Sequence, residues 1–250
     1  SGLYSLLDNA EEIIVPTPYG APSGKVALGR AGDKTVAFLP RHGKDHEYPP
    51  HKVNYRANLY AMKELGIRQV IATTAAGSLQ PDFKPGEFVV SDQFIDRTRG
   101  RQDTYYEGPE VVHTGMAYPY CSRLRELAAS IAAEKGLVMH ESGTVVVIQG
   151  PRFSSKAESR WFSSMGWHLV SMTQYPEVVL ARELGLCYAN ISLITDYDAG
   201  LEGRDDIVPV TNEEVLRVFA ENNDKVKDLI LTMIRRLDRD VSCTCGGDGQ

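Results

Sequence analysis

Short apolar runs alternate with amphipathic stretches along most of the chain. The runs at 35–39, 69–72, 88–90, 143–148, 168–172 and 187–194 predict strands. Between them, 53–65 carries Tyr55, Leu59, Met62 and Leu65 at helical spacing. Further helices are predicted at 120–135, rich in Leu and Ala, at 157–165, and at 176–184 with Pro176 in its first turn. A long closing helix is predicted at 211–237. Thr211 is its N-cap and Glu214 follows three residues later, the spacing of a capping box. No repeat and no linker interrupts this order. It predicts one α/β domain over 1–240, a mixed or mostly parallel central β-sheet flanked by helices.

Five polar segments each follow a predicted strand. They are Arg41-His42-Gly43, the small-residue run 73–78, Gly150-Pro151-Arg152-Phe153-Ser154-Ser155, Met172-Thr173-Gln174 and Thr195-Asp196-Tyr197-Asp198. Ligands of open α/β sheets bind outside the carboxyl ends of the strands, so parallel strands would bring all five to one edge. That arrangement implies a small-molecule site rather than an interaction module. Arg41 offers a guanidinium fork and His42 an imidazole donor. Small residues at Thr74, Ala75 and Gly77 let backbone N–H groups approach a ligand, and Thr73, Thr74 and Ser78 add hydroxyls. Together these suit phosphate or a similar oxyanion. Phe153 can stack on a planar base. Asp196 and Asp198 accept hydrogen bonds when ionised, and one kept neutral by burial can donate a proton to a leaving group. Singly, each feature is ordinary: an Arg-His pair is usually surface charge, an Asp-x-Asp a solvated turn, a Phe after Gly-Pro-Arg a core residue. Their shared location gives them weight.

Composition narrows the choice. With 250 residues, 42% hydrophobic and 24% charged, the chain can bury a sizeable core. No apolar stretch approaches the ~18–20 residues of a membrane helix. The first residues lack a basic and then apolar leader pattern, so a cytoplasmic protein is expected. A net charge of -6 without a basic stripe excludes nucleic acid as a partner. An anionic substrate would need a local basic site. His42, His46 and His51 share a Pro-rich loop with Arg41 and Lys44, which would repel a cation, so no metal is expected there. Of the four cysteines, Cys121 and Cys187 read as buried thiols. Cys243 and Cys245 form a C-x-C in a tail, 241–250, whose glycines favour flexibility. A redox-active bridge and a weak metal site are the alternatives for that pair.

The polar segments, with Pro50-His51-Lys52-Val53-Asn54-Tyr55-Arg56-Ala57-Asn58, the run 73–79, Asp92-Gln93-Phe94-Ile95-Asp96-Arg97-Thr98, 150–159, 176–181 and 195–198, resemble the trimeric purine nucleoside phosphorylase family. Within it they are most similar to the 5'-methylthioadenosine branch. The likeness is a series of long, ordered matches over nearly the whole chain. It implies phosphorolysis of 5'-deoxy-5'-methylthioadenosine to adenine and 5-methylthioribose 1-phosphate, a purine and methionine salvage step. Phosphate would be a co-substrate, no cofactor would be needed, and the protein would be a homotrimer or hexamer.

The resemblance also implies roles. Arg41, His42, Thr74, Ala75 and Thr173 would hold phosphate, and Met172 would lie under the ribose. Ala76, Gly77 and Phe153 would line the base pocket, with Ser154 near the purine. Asp196 would bond purine N7, and Asp198 would support the 6-amino side. His113 would reach a neighbouring subunit's 5' pocket, whose apolar wall would be Val210, Val215 and Leu216. Ser1-Gly2 looks like the end of the family's Gly-Gly-Ser/Thr-Gly phosphate loop, which would make Ser1 the loop hydroxyl and leave roughly 5–6 residues upstream. Gln149 and Gln174 depart from the Glu and Thr of animal members, and the C-x-C tail is similar to tails of some prokaryotic ones. Two other readings stay open. A 6-oxopurine or methylthioinosine phosphorylase typically has Asn at the position of Asp196. A nucleoside-binding protein without turnover would not need both the anion site and the acid.

Overall fold

The computed structural model describes residues 8–201 and 211–238, together with Cys243 and Cys245. Strands β1 (Asp8–Ile13), β2 (Val26–Ala31) and β3 (Lys34–Phe38) form a small antiparallel sheet in that order. A seven-stranded sheet follows, built from β4 (Gln69–Ser78), β5 (Phe88–Val90), β6 (Gln93–Arg97), β7 (Met139–His140), β8 (Thr144–Ile148), β9 (Leu169–Ser171) and β10 (Cys187–Tyr197). Its spatial order is β6-β8-β9-β4-β10-β5-β7. The helices are α1 (Tyr55–Glu64), α2 (Ser122–Glu134), α3 (Lys156–Ser164), α4 (Gln174–Glu183) and α5 (Asn212–Arg236).

The sheet is mixed. β4 and β10 run parallel to each other and antiparallel to their outer neighbours β9 and β5. β10 is buried from Cys187 through Asp196, as a strand covered on both faces must be. Its side chains divide by the two-residue strand period. Ile191 and Leu193 pack with Ala128 and Ile131 of α2 and Leu229 and Met233 of α5. Tyr188 packs on the other face with Ala72, Leu59 of α1 and Val178 and Ala181 of α4. Each fully buried aliphatic chain of this kind stabilises the fold by roughly 1.5–3 kcal/mol.

Local chemistry sets the helix starts. Asn54 caps α1 by accepting from the Ala57 N–H at 3.2 Å. Ser155 and Glu158 form a reciprocal capping box on α3. At α5 the Thr211 carbonyl accepts from the Val215 N–H at 3.1 Å.

The predicted helices all form, with ends displaced by one or two residues, but the sheet corrects several expectations. β1 and β2 are strands that a polar sequence, such as Asp-Asn-Ala-Glu-Glu-Ile in β1, does not advertise. They draw β3 out of the central sheet, so Arg41 leaves a separate layer. β6 and β7 are also strands. The run 73–78 is no turn: β4 continues through it because β10 and β9 supply its partners. β10 likewise continues past Ile194 to Tyr197. The five polar segments therefore do not converge at the ends of parallel strands. The antiparallel register Gly77↔Val170 and Ser78↔Leu169 instead carries the chain from β9 back along the middle of β4.

Candidate active site

The 73–78 run separates two chemically different ends. At one end Arg41 donates through Nε and Nη2 to both carboxylate oxygens of Glu177, and through Nη1 to the Thr73 carbonyl at 3.0 Å. Burial pulls the Arg41 pKa down, but Glu177 beside it outweighs burial and holds the guanidinium charged. Glu177 is itself buried on α4 and also accepts from the Tyr188 hydroxyl at 2.7 Å. One N–H on each of Nη1 and Nη2 is not used by these bonds, so the fork keeps donors for an anion. His42 lies next in the chain, its Nδ1 within 2.8 Å of the Tyr48 carbonyl. Burial and the Arg41 charge push its pKa down, offset in part by that carbonyl. Neutral His42 thus donates from Nδ1 to the carbonyl, leaving Nε2 as an acceptor. Thr74 and Thr173 are buried, whereas Ala75 is exposed between buried Thr74 and Ala76, opening the strand backbone there.

At the other end Asp196 is paired with Gly77 across the β4–β10 ladder. A register shift between Ile194 and Asp196 makes Thr195 the extra residue of a bulge. The Thr195 hydroxyl donates to Asp196 Oδ1 at 2.7 Å. Gly77 has a steric role: a Cβ there would stand 3.0 Å from Asp196 Oδ2 and 3.1 Å from Val170 Cγ1. Asp198 is buried, its N–H donating to the Ser78 carbonyl at 2.8 Å. The Ser154 hydroxyl lies 2.6 and 2.5 Å from its two carboxylate oxygens. Burial raises the Asp198 carboxyl above its ordinary range, against hydrogen bonds from Ser154, Ser159 and the Ala199 N–H. Phe153 is 41% exposed, a large ring left uncovered next to Ser154. Met172 packs over Gly150, where a Cβ would come within 2.6 Å of its sulfur.

The described residues thus juxtapose an anion cradle, a pair of buried carboxylates and an uncovered aromatic ring. Comparison with known proteins matches residues 5–235 to the phosphorylase superfamily. The chain belongs to the phosphorylase superfamily. It is 51% identical to an S-methyl-5'-thioadenosine phosphorylase of Thermofilum pendens, over 98% of this chain and 92% of that one. It is 46% identical to a purine nucleoside phosphorylase of Streptomyces coelicolor, over 98% and 90% of the two chains. A solved methylthioadenosine phosphorylase of Schistosoma mansoni in complex with adenine has a TM-score of 0.89 at 38% identity, covering 95% of this chain and 89% of that one.

In this phosphorylase Arg41, Thr74, Ala75, Ala76, Gly77, Asp196, Asp198 and Ser154 gather along β4 and the end of β10. Met172 and Thr173 follow from β9. Other expected residues stand apart. His113 is exposed in the long connection before α2, Leu216 is 60% exposed on α5, and Val215 is half-buried. Ser1 and Val210 lie outside the described residues. Ser154 bonds Asp198 directly, a tie that its place beside Phe153 did not foretell. Sequence reasoning missed Glu177. Its signal was a carboxylate within the apolar run Pro176-Glu177-Val178-Val179-Leu180-Ala181, since a buried acid needs a partner.

The four cysteines of the phosphorylase meet away from this site. Cys121 precedes α2 and Cys187 opens β10. With Cys243 and Cys245, their sulfur atoms all lie within 4.8 Å of one another, Cys187 and Cys243 at 2.9 Å.

Proposed function

We propose that this phosphorylase cleaves 5'-deoxy-5'-methylthioadenosine with inorganic phosphate, giving adenine and 5-methylthioribose 1-phosphate. One observation carries the reading: the Arg41 fork meets β4 at Thr73, and the Asp196 carboxylate meets the same strand at Gly77. From Thr74 to Gly77 the strand advances about 10 Å. That leaves room for a ribose between an anion at one end and a base at the other.

Phosphate held by Arg41 and Thr74 attacks the anomeric carbon from the face opposite the base. The glycosidic bond breaks through an oxocarbenium-like sugar, as in glycoside hydrolysis. Bound phosphate outcompetes water because it is positioned beforehand. Negative charge develops on the departing purine near N7, where Asp196, carrying or sharing a proton, stabilises it. Asp198, raised by burial, supports the 6-amino side with Ser154. Asp at position 196 favours an adenine base, and the names of the Thermofilum and Schistosoma proteins agree. The Streptomyces relative keeps a second reading in view, a 6-oxopurine nucleoside phosphorylase.

The active assembly is a homotrimer or a hexamer, because exposed His113 gains a role only in a neighbour's site. Among the described residues, β6 ends the large sheet with an unpaired outer edge. A cavity of about 510 Å³ beside it, lined in part by Arg97, Gln149 and Trp161, offers a neighbour a seat. A fully active monomer in light scattering would remove this part.

A nucleoside panel with and without phosphate tests the reaction. Adenine should appear from methylthioadenosine only with phosphate, together with a sugar 1-phosphate. Equal release in phosphate-free buffer would make the protein a hydrolase, and preference for inosine would favour the second reading.

A further inference from the structure

On the β10 face that carries Tyr188, two further polar residues follow at the strand period, Asn190 and Ser192. Both are fully buried. Ser192 stands directly opposite Thr74 across the β4–β10 ladder, their hydroxyl oxygens 3.0 Å apart. The Asn190 carbonyl oxygen accepts from Thr74 at 3.0 Å and from Ser192 at 3.1 Å. Behind Ser192, the Gln174 amide donates to its oxygen at 3.0 Å, and the Gln174 carbonyl accepts from the Tyr120 hydroxyl at 2.7 Å. Gln174 is fully buried and Tyr120 nearly so. Burial holds the Tyr120 pKa well above its ordinary value, so the phenol keeps its proton.

These bonds have a direction. Tyr120 has one proton, and it goes to Gln174. That fixes which way the Gln174 amide faces, so its N–H groups point at Ser192. The Ser192 oxygen is then an acceptor toward Gln174, and its own proton has two acceptors in reach, Asn190 Oδ1 and Thr74 Oγ1. Without an anion, Thr74 gives its proton to Asn190. When Thr74 turns its proton toward an anion, its oxygen becomes the better acceptor for Ser192. The series then reads Tyr120 to Gln174 to Ser192 to Thr74 to anion, every O–H and N–H pointing the same way. Aligned hydrogen bonds in a low-dielectric interior polarise and strengthen one another. Only hydroxyl rotations separate the two states, and no heavy atom has to move.

We infer that Gln174 and Ser192 are positioning residues for phosphate: with Tyr120 they form a buried one-way relay that aims the Thr74 hydroxyl at the anion. The inference rests on the reading of Thr74 as a phosphate ligand and adds to it the groups that set its hydroxyl. It also gives Gln174 a function where a shorter side chain would leave Tyr120 and Ser192 unconnected. The hydrogen bonds of Gln174 and Ser192 run to Tyr120, Asn190 and Thr74, none of them read as a nucleoside ligand, so the effect is expected on phosphate.

Steady-state kinetics on Ser192→Ala, Gln174→Leu and Tyr120→Phe, with phosphate and methylthioadenosine varied separately, tests the relay. Losing one aligned bond next to the ligand hydroxyl should raise the KM for phosphate about tenfold in Ser192→Ala and Gln174→Leu. The rise should be smaller in the volume-conserving Tyr120→Phe, and the KM for methylthioadenosine should stay within about twofold of wild type. Gln174→Glu should add a pH dependence that packing damage alone would not. Once ionised, its carboxylate takes the Ser192 proton away from Thr74, so the phosphate KM should climb with pH more steeply than in wild type. If Ser192→Ala and Gln174→Leu fail to fold, Tyr120→Phe and Gln174→Glu carry the test. Unchanged phosphate KM in the folded variants, or equal rises for both substrates, overturns the relay. A wild-type enzyme that ignores phosphate overturns instead the function on which the relay rests.

Discussion

Arg41 and Glu177, 136 positions apart in the chain, form a buried fork-to-carboxylate pair that ties the exit of the small sheet to helix α4. The pair does two things at once. It fixes the plane of the guanidinium, leaving a defined edge for an anion, and it fastens the small sheet to the large one.

Glu177→Ala should therefore harm both stability and phosphate use. Removing one partner leaves a buried guanidinium uncompensated, which costs about 3–5 kcal/mol. Urea unfolding should show the loss, and the phosphate KM of the surviving folded protein should rise. A variant as stable as wild type would mean that the pair is solvated in solution.

Asp196→Asn should lower kcat for methylthioadenosine about 10²–10⁴-fold, the usual range for losing a positioned proton donor. Binding should change far less, because the donor acts mainly on the departing base. The variant should also narrow the gap between methylthioadenosine and inosine, since an amide can match a 6-oxo base. Kinetics on methylthioadenosine, adenosine and inosine decide it; full activity of the variant on methylthioadenosine would remove Asp196 from the chemistry.

Asp198 makes a prediction about pH. Its folded carboxyl titrates above the unfolded one because burial disfavours the charge. The folded state then binds more protons in that window, so the contribution of Asp198 to stability is full below the unfolded pKa and is lost as pH rises through the folded one. Wild type should lose stability relative to Asp198→Asn from about pH 4 upward, reaching a constant difference once the folded carboxyl has ionised. Paired urea unfolding across that range checks the slope. A pH-independent difference would show that Asp198 titrates normally.

The cysteine cluster predicts a response to oxidation. Joining Cys187 to Cys243 would close a loop spanning 56 positions, which stabilises by about 4 kcal/mol through unfolded-state entropy. Oxidised protein should melt above reduced protein, and Cys187→Ser should abolish the gain. Equal melting points before and after oxidation would leave the tail pair as a local feature.

Much of this fold was legible in the sequence. The helices announced themselves through period, and α5 through Thr211 and Glu214, because a half-buried helix must alternate on one face. The strands were legible where they were apolar, as at 143–148. They were not legible in β1, whose polar residues belong to a small sheet, or beyond Ala72 and Ile194. There the chain stays extended because partner strands lie beside it, and no local pattern records a partner. The candidate site divides the same way. Arg41, Thr74 and Asp196 stood out by residue type, whereas Glu177, Ser192 and Gln174 acquire meaning only from what they touch.

The strand pitch of β4 acts as a ruler. The two ends of the proposed substrate are measured out along consecutive residues of one strand, so the interval comes only in whole steps. Deleting a single residue between Thr74 and Gly77 would not shorten the site slightly. It would turn the side chains beyond the deletion to the opposite face of the sheet and dismantle one end of the site. Evolution can trim or extend the loops around this strand, which bounds change in the substrate to the parts that overhang the ruler.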